Sequence, residues 1–370
     1  MQLHSYQIMK KAIFLLFLTL FLFSCSNDEP SPGQPVNPTI ESPVIVDLNQ
    51  IPYPTLSSYN FFKSPMKSQN PVVGVIPYEP INSLFTDYAH KNRFIWMPQG
   101  VKAEYVSDDQ PLYFPEGAAV IKNFFYENVQ PNNSKRIIET RLMIKKNGSW
   151  MFLNYVWNDA QTEAFLDLSG SETPVEWLHN GVVKTANYRI PSESECFICH
   201  KIEEEKILIG PKPRNLNKVY NYDDGPMNQL EKLKRYGYLN AQSLPQNIET
   251  LPDWTNVSNP IEDRVRSYID VNCAHCHQEM AHCGYTPIKL DWNMTGSDEN
   301  LGMCTPVSEP LPGMEYTIKP GNADRSGMYY RFSSTDISTQ MPLIGRSIVH
   351  EEAAELMYDW INSMEPDNCN

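Results

Sequence analysis

Two short runs carry the chemistry of this 370-residue chain: Asn272-Cys273-Ala274-His275-Cys276-His277 and, upstream, Cys196-Phe197-Ile198-Cys199-His200. In each, two thiols stand three positions apart and an imidazole follows the second, the attachment pattern of a c-type haem. The spacing has a chemical reason. Each thiol adds across one vinyl group of the porphyrin, one turn of chain spans the two vinyls, and the histidine sits beneath the iron as its proximal ligand. The residues therefore predict two covalently attached haem c groups. Cys196, Cys199, Cys273 and Cys276 are the attachment points, and His200 and His277 are iron ligands. A structural zinc is the plainer alternative, because each motif could supply the other's second cysteine pair. It leaves both histidines, each directly after a second cysteine, without a role.

The N-terminus sets the compartment in which such chemistry happens. Lys10 and Lys11 precede an apolar run, residues 12–23, that is too short for a permanent membrane span. The run ends in Leu22-Phe23-Ser24-Cys25, similar to a bacterial lipoprotein cleavage box. Residues 1–24 are thus predicted to be a signal peptide and Cys25 the lipidated first residue of the mature chain. Ser26 is not the aspartate of an inner-membrane retention signal, and Asp28 and Glu29 fit an outer-membrane lipoprotein facing the periplasm or cell surface. Haem attachment of this type occurs outside the cytoplasm, so the two signals agree. Residues 25–50, with Pro30, Pro32, Pro35, Pro38 and Pro43, read as a tether to that lipid anchor. A hydrophobic content of 41% describes a globular chain, and a net charge of −14 argues against nucleic acid as a partner.

The remaining elements must position the motifs. Residues 51–190 read as a β-rich domain of sandwich or barrel type. Residues 118–126 are an apolar, aromatic strand, and Asn147-Gly148 and Asn180-Gly181 are hairpin turns, because Asn-Gly accepts the positive φ angles of a tight turn. Trp150, Trp157 and Trp177 are expected in its core. Residues 191–258 hold the first motif, which follows strand-like NYRI and is expected to enter from a strand, not from a helix. A helix is predicted at about residues 227–236. Residues 259–370 read as a mainly α-helical cytochrome c domain. Asn259 caps a helix with Pro260 at its first position and an apolar stripe of Ile261, Val265, Tyr268 and Ile269. A last helix at residues 350–364 completes it. The fold class expected is α+β multidomain.

Between those helices, Gln340-Met341-Pro342 places a thioether in a loop ahead of the last helix, which makes Met341 the predicted sixth ligand of the second iron. Met280, Met294, Met303, Met314 and Met328 are its competitors. The first iron has no such loop, and its distal side is left to His90, Met97, Met227 or water. Of the remaining cysteines, Cys283 and Cys304 are the first choice for a disulfide, with Cys304 and Cys369 close behind.

The runs LFTDYAHKNRFIWMPQG, YRIPSESECFICH, IEDRVRSYIDVNCAHCH and MPLIGRSIVHEEAAELMYDWI together resemble bacterial dihaem c-type cytochrome lipoproteins, a family without an assigned physiological reaction. The resemblance spans about residues 51–365 and implies ligation by His200, His277 and Met341. The function expected is one-electron transfer with redox partner proteins. The alternative is a dihaem enzyme, peroxidase-like or a small-molecule oxidase, with an open first iron.

Overall fold

Apolar alternation in the first half of the chain builds one antiparallel sheet of eight strands. Strands β1 (Ile76–Tyr78), β2 (His90–Trp96), β3 (Ala119–Val129), β4 (Ser134–Lys146), β5 (Ser149–Trp157) and β6 (Ala164–Leu166) lie side by side in chain order. The hairpin of β7 (Ser171–His179) and β8 (Val182–Ile190) joins through β3, where Val129 pairs with Trp177. Both Asn-Gly pairs sit in two-residue turns, with φ of 52° and 73° at Asn147 and Gly148 and 50° and 82° at Asn180 and Gly181. The computed structural model describes residues 41–369. The signal peptide, Cys25 and most of the tether lie outside them. The described residues belong to one compact unit.

The domain is β-rich as expected, but in place of a sandwich or barrel it holds a single sheet. One face (Phe94, Ile121, Leu142, Leu153) packs on the segment before β1, including Leu56 and Tyr59 of a 3-10 helix and Phe61 and Phe62, which does the work of a second sheet. The other face presents the cross-strand row Ile95–Val120–Met143–Phe152. These residues pack with Cys196 of the first motif and with Leu230 and Leu233 of the helix Gln229–Arg235. Trp150, Trp157 and Trp177 are buried, as expected of core residues.

The first motif departs from its expectation. Strand β8 does lead into it, but the motif itself lies on helix α1 (Glu193–Cys199). Ser192 caps that helix, accepting from the Glu195 N–H while the Glu195 carboxylate accepts from the Ser192 N–H. In the second half, α2 (Ile261–Asn272), α3 (Gly327–Ser333) and α4 (Glu351–Ser363) share a core containing Val265, Ile269, Phe332, Leu356, Trp360 and Ile361. The cap of α2 is Pro260, not Asn259, whose side-chain amide donates instead to the Asp253 carbonyl at 3.0 Å. The buried carboxylate of Asp87 ties the halves together, accepting from the N–H groups of Ser347 and Ile348 at 2.7 and 3.1 Å.

Candidate functional site

Helix α2 delivers Cys273 at its C-cap, and the chain then turns so that His277 N–H reaches the Cys273 carbonyl at 3.0 Å. A cavity of about 470 Å³ opens beside it, lined by Cys273, His277, Cys283, Met328, Met341 and Met357, among others. That volume lies in the range of small-molecule and cofactor sites, roughly 300–1,000 Å³. The Thr286 hydroxyl donates to the Cys283 carbonyl at 2.8 Å, so its oxygen accepts from His277 Nδ1 at 3.3 Å. This leaves Nε2 as the lone-pair nitrogen. Burial pushes His277 down to about 4, so it is neutral and able to ligate near pH 7.

Met341 is held by a residue that sequence reasoning passed over. The Arg346 guanidinium, 7% exposed, donates to the Met341 carbonyl at 3.0 and 2.9 Å and to the carbonyls of Phe332 and Ser334 at 3.1 and 2.8 Å. One planar fork thus fastens the Met341 loop to the end of α3. Of the competing thioethers, Met280 and Met294 are exposed, and neither they nor Met303 and Met314 line the cavity. Met328 does.

At the first motif, His200 repeats the arrangement. Its Nδ1 lies 3.0 Å from the Ile207 carbonyl, which can only accept, so Nδ1 carries the hydrogen. Burial pushes this imidazole also to about 4. Two small cavities of about 100 and 120 Å³ adjoin it, sharing Lys122, Arg141, Met143 and His200. Cys196 and Cys199 line the first of them. Neither cavity approaches the ~300 Å³ lower bound for a cofactor. The donor set of the first site, two thiols and an imidazole, fits a haem, and each of the two cavities is smaller than one. His90, Met97 and Met227 do not line these cavities. His90 stacks on Phe125 at 5.4 Å, Met97 is in the core, and Met227 packs at that core's margin. The thioether that lines both cavities with His200 is Met143.

The motifs meet each other. Ligating atoms of Cys199, His275 and Cys276 all lie within 4.8 Å of one another, and His275 Nδ1 is buried without a hydrogen-bond partner. A hydrogen bond between the two thiols pulls Cys199 well below the ordinary thiol range and pushes Cys276 up. The disulfide differs from its first-choice expectation. Cys304 pairs with Cys369, Cα atoms 5.0 Å apart, while Cys283 is a buried free thiol whose N–H donates to the Cys276 carbonyl. Cys283 belongs to the cavity wall beside His277, which Cys304 does not line. A larger groove of about 860 Å³, lined by Lys63, Gln69, Asn92 and Tyr220 among others, contains no residue of either motif. No family model, curated protein or solved structure matches the chain.

Proposed function

We propose that the chain is a dihaem c-type cytochrome anchored through Cys25 to the outer membrane, passing single electrons between redox partner proteins outside the cytoplasm. The observation that carries the reading is the pair of histidines. Each has Nδ1 committed to an acceptor and borders a cavity shared with cysteine of its own motif, Cys273 beside His277 and both Cys196 and Cys199 beside His200. At the second site Met341 joins the same wall, supporting a cytochrome c domain over residues 259–370 with α2 and α4 packed across it. When bound, each haem supplies an iron that changes oxidation state by one electron. The protein's part is to hold ligands and exclude water. Thr286 and the Ile207 carbonyl fix the two imidazoles, Arg346 fixes the Met341 loop, and Met143, which lines both cavities with His200, would be the thioether available to a first iron. If Met341 and Met143 both ligate, neither iron would be open to substrate, and electron transfer would be favoured over the dihaem enzyme.

The cluster of Cys199, His275 and Cys276 favours one second reading, a zinc bridging the motifs. It would leave Cys196, Cys273, His200 and His277 unused. Mass spectrometry with metal analysis of the mature protein, made in cells carrying haem-attachment machinery, separates the two. Two haem adducts and no zinc are expected. One zinc per chain with no haem adduct would refute the cytochrome.

A further inference from the structure

Three cations stand opposite one another across the middle of the sheet. In register, Arg93 of β2 pairs with Lys122 of β3, and Lys122 pairs with Arg141 of β4. All three share the face of the row Ile95–Val120–Met143, two residues along each strand, and so point toward the first motif. Like charges directly opposite on one face destabilise a sheet, and here water is largely excluded: Arg93 is 7% exposed. Such a row needs anions.

The neighbouring charges account for only part of it. Arg141 is paired with the fully buried Glu139 at 2.7 Å. Elsewhere on the walls Arg189 is paired with Glu195 at 2.6 Å and Lys212 with Asp270 at 3.5 Å. Arg93 makes one hydrogen bond, to Ser83 Oγ at 3.2 Å, and Lys122 none; neither has an ion-pair partner among the described residues. Lys122 lies 4.7 Å over the Phe124 ring, a contact that does not neutralise it. Lys122 lines both cavities beside His200, and Arg93 lines one of them. Arg93 is therefore left without a counter-ion, and Lys122, whose burial beside Arg93 and Arg141 pushes its ammonium well below the ordinary lysine range, is a base that an anion in the cavity would hold protonated.

We propose that the cavity beside His200 is an anion-binding site in which Arg93 and Lys122, flanked by Arg141, take two carboxylates or one doubly charged oxyanion. The anion has two possible sources with the same chemistry: the propionates of a haem attached at Cys196 and Cys199, or a free ion such as phosphate. The first source rests on the haem reading; the second stands without it.

The test uses the full mature chain, its haem content counted by mass, as wild type, Arg93→Gln, Lys122→Gln and Lys122→Arg, with circular dichroism to confirm folding. Phosphate is titrated by calorimetry, and the haem midpoint potentials are measured. If propionates occupy the row, phosphate does not bind, and each glutamine variant shifts one midpoint to lower potential while leaving the other in place. If the anion is free, phosphate binds saturably and each glutamine variant weakens it at least tenfold. In both cases Lys122→Arg restores wild-type behaviour, which a lysine acting as an iron ligand would not allow. In a chain without haem, calorimetry alone decides. Unmoved potentials with no phosphate binding, or an Lys122→Gln defect that Lys122→Arg fails to rescue, overturn the site.

Discussion

The thiol of Cys276 lies 3.5 Å from the carbonyl oxygen of Ile198, so the second motif touches the first inside its own Cys-x-x-Cys step. Charge placed at one site is then felt at the other through a protein interior of low effective dielectric. In the cytochrome reading, removing the second attachment with Cys273→Ser and Cys276→Ser should shift the midpoint potential of the haem that remains. A potentiometric titration of the double variant beside wild type reads this directly. A first-site potential identical in both proteins would mean the contact carries no coupling.

In the cytochrome reading Met341 and Met143 serve different irons and should respond separately. Met341→Ala should abolish a thioether–iron charge-transfer band and lower one potential, within the roughly 0.8 V span that axial ligands command. Arg346→Gln should weaken the same band without abolishing it, because it loosens the loop and spares the sulfur. Met143→Ala should leave that band intact and open the other iron to rapid carbon monoxide binding. If wild-type protein already binds one equivalent of carbon monoxide rapidly, Met143 is not a ligand and the enzyme reading gains.

How much of this was legible in the chain depended on whether the determinant was local. Asn147-Gly148 and Asn180-Gly181 declare their turns because the backbone there needs positive φ. Ser192 and Glu195 form an S-x-x-E capping box, a local signal that would have placed the first motif on a helix. The Arg93–Lys122–Arg141 row is different. It exists only through strand register, and residues 29 and 19 positions apart announce no pairing. Met143 and Arg346 were likewise invisible, since their roles come from which wall they face after folding. The disulfide turned on how the chain beyond α4 returns to Cys304, which no spacing encodes.

His350 should make stability depend on pH. It stacks on Phe85 at 4.1 Å, faces Trp254, Tyr268 and Glu352, and burial pushes it down to about 4. Between the ordinary value near 6.5 and about 4, the unfolded chain takes up a proton that the native imidazole refuses. The stabilising contribution is thus fully present above pH 6.5 and is lost as pH falls toward 4, with an upper bound of about 3 kcal/mol. His350→Phe keeps a ring against Phe85 and costs the Tyr268 hydroxyl its partner at every pH. It should therefore lower Tm throughout and flatten the slope of Tm between pH 6.5 and 4. An unchanged slope would show that His350 titrates normally.

The Cys304–Cys369 bond should stabilise the second half of the protein through its unfolded state. It closes a loop of sequence separation 65 and holds the tail where the Tyr316 hydroxyl donates to the Cys369 carbonyl at 2.8 Å. Loop closure of this length is worth about 4 kcal/mol by chain-entropy reasoning. Cys369→Ser should reduce the unfolding free energy by that amount in urea, with the loss confined to probes of the second half such as Trp360 fluorescence. The free thiol of Cys283, in the cavity wall beside His277, should not take over as the partner of Cys304. Peptide mapping of the variant under oxidising conditions checks this. A Cys283–Cys304 cross-link there would mean the His277 cavity opens far enough to surrender its wall.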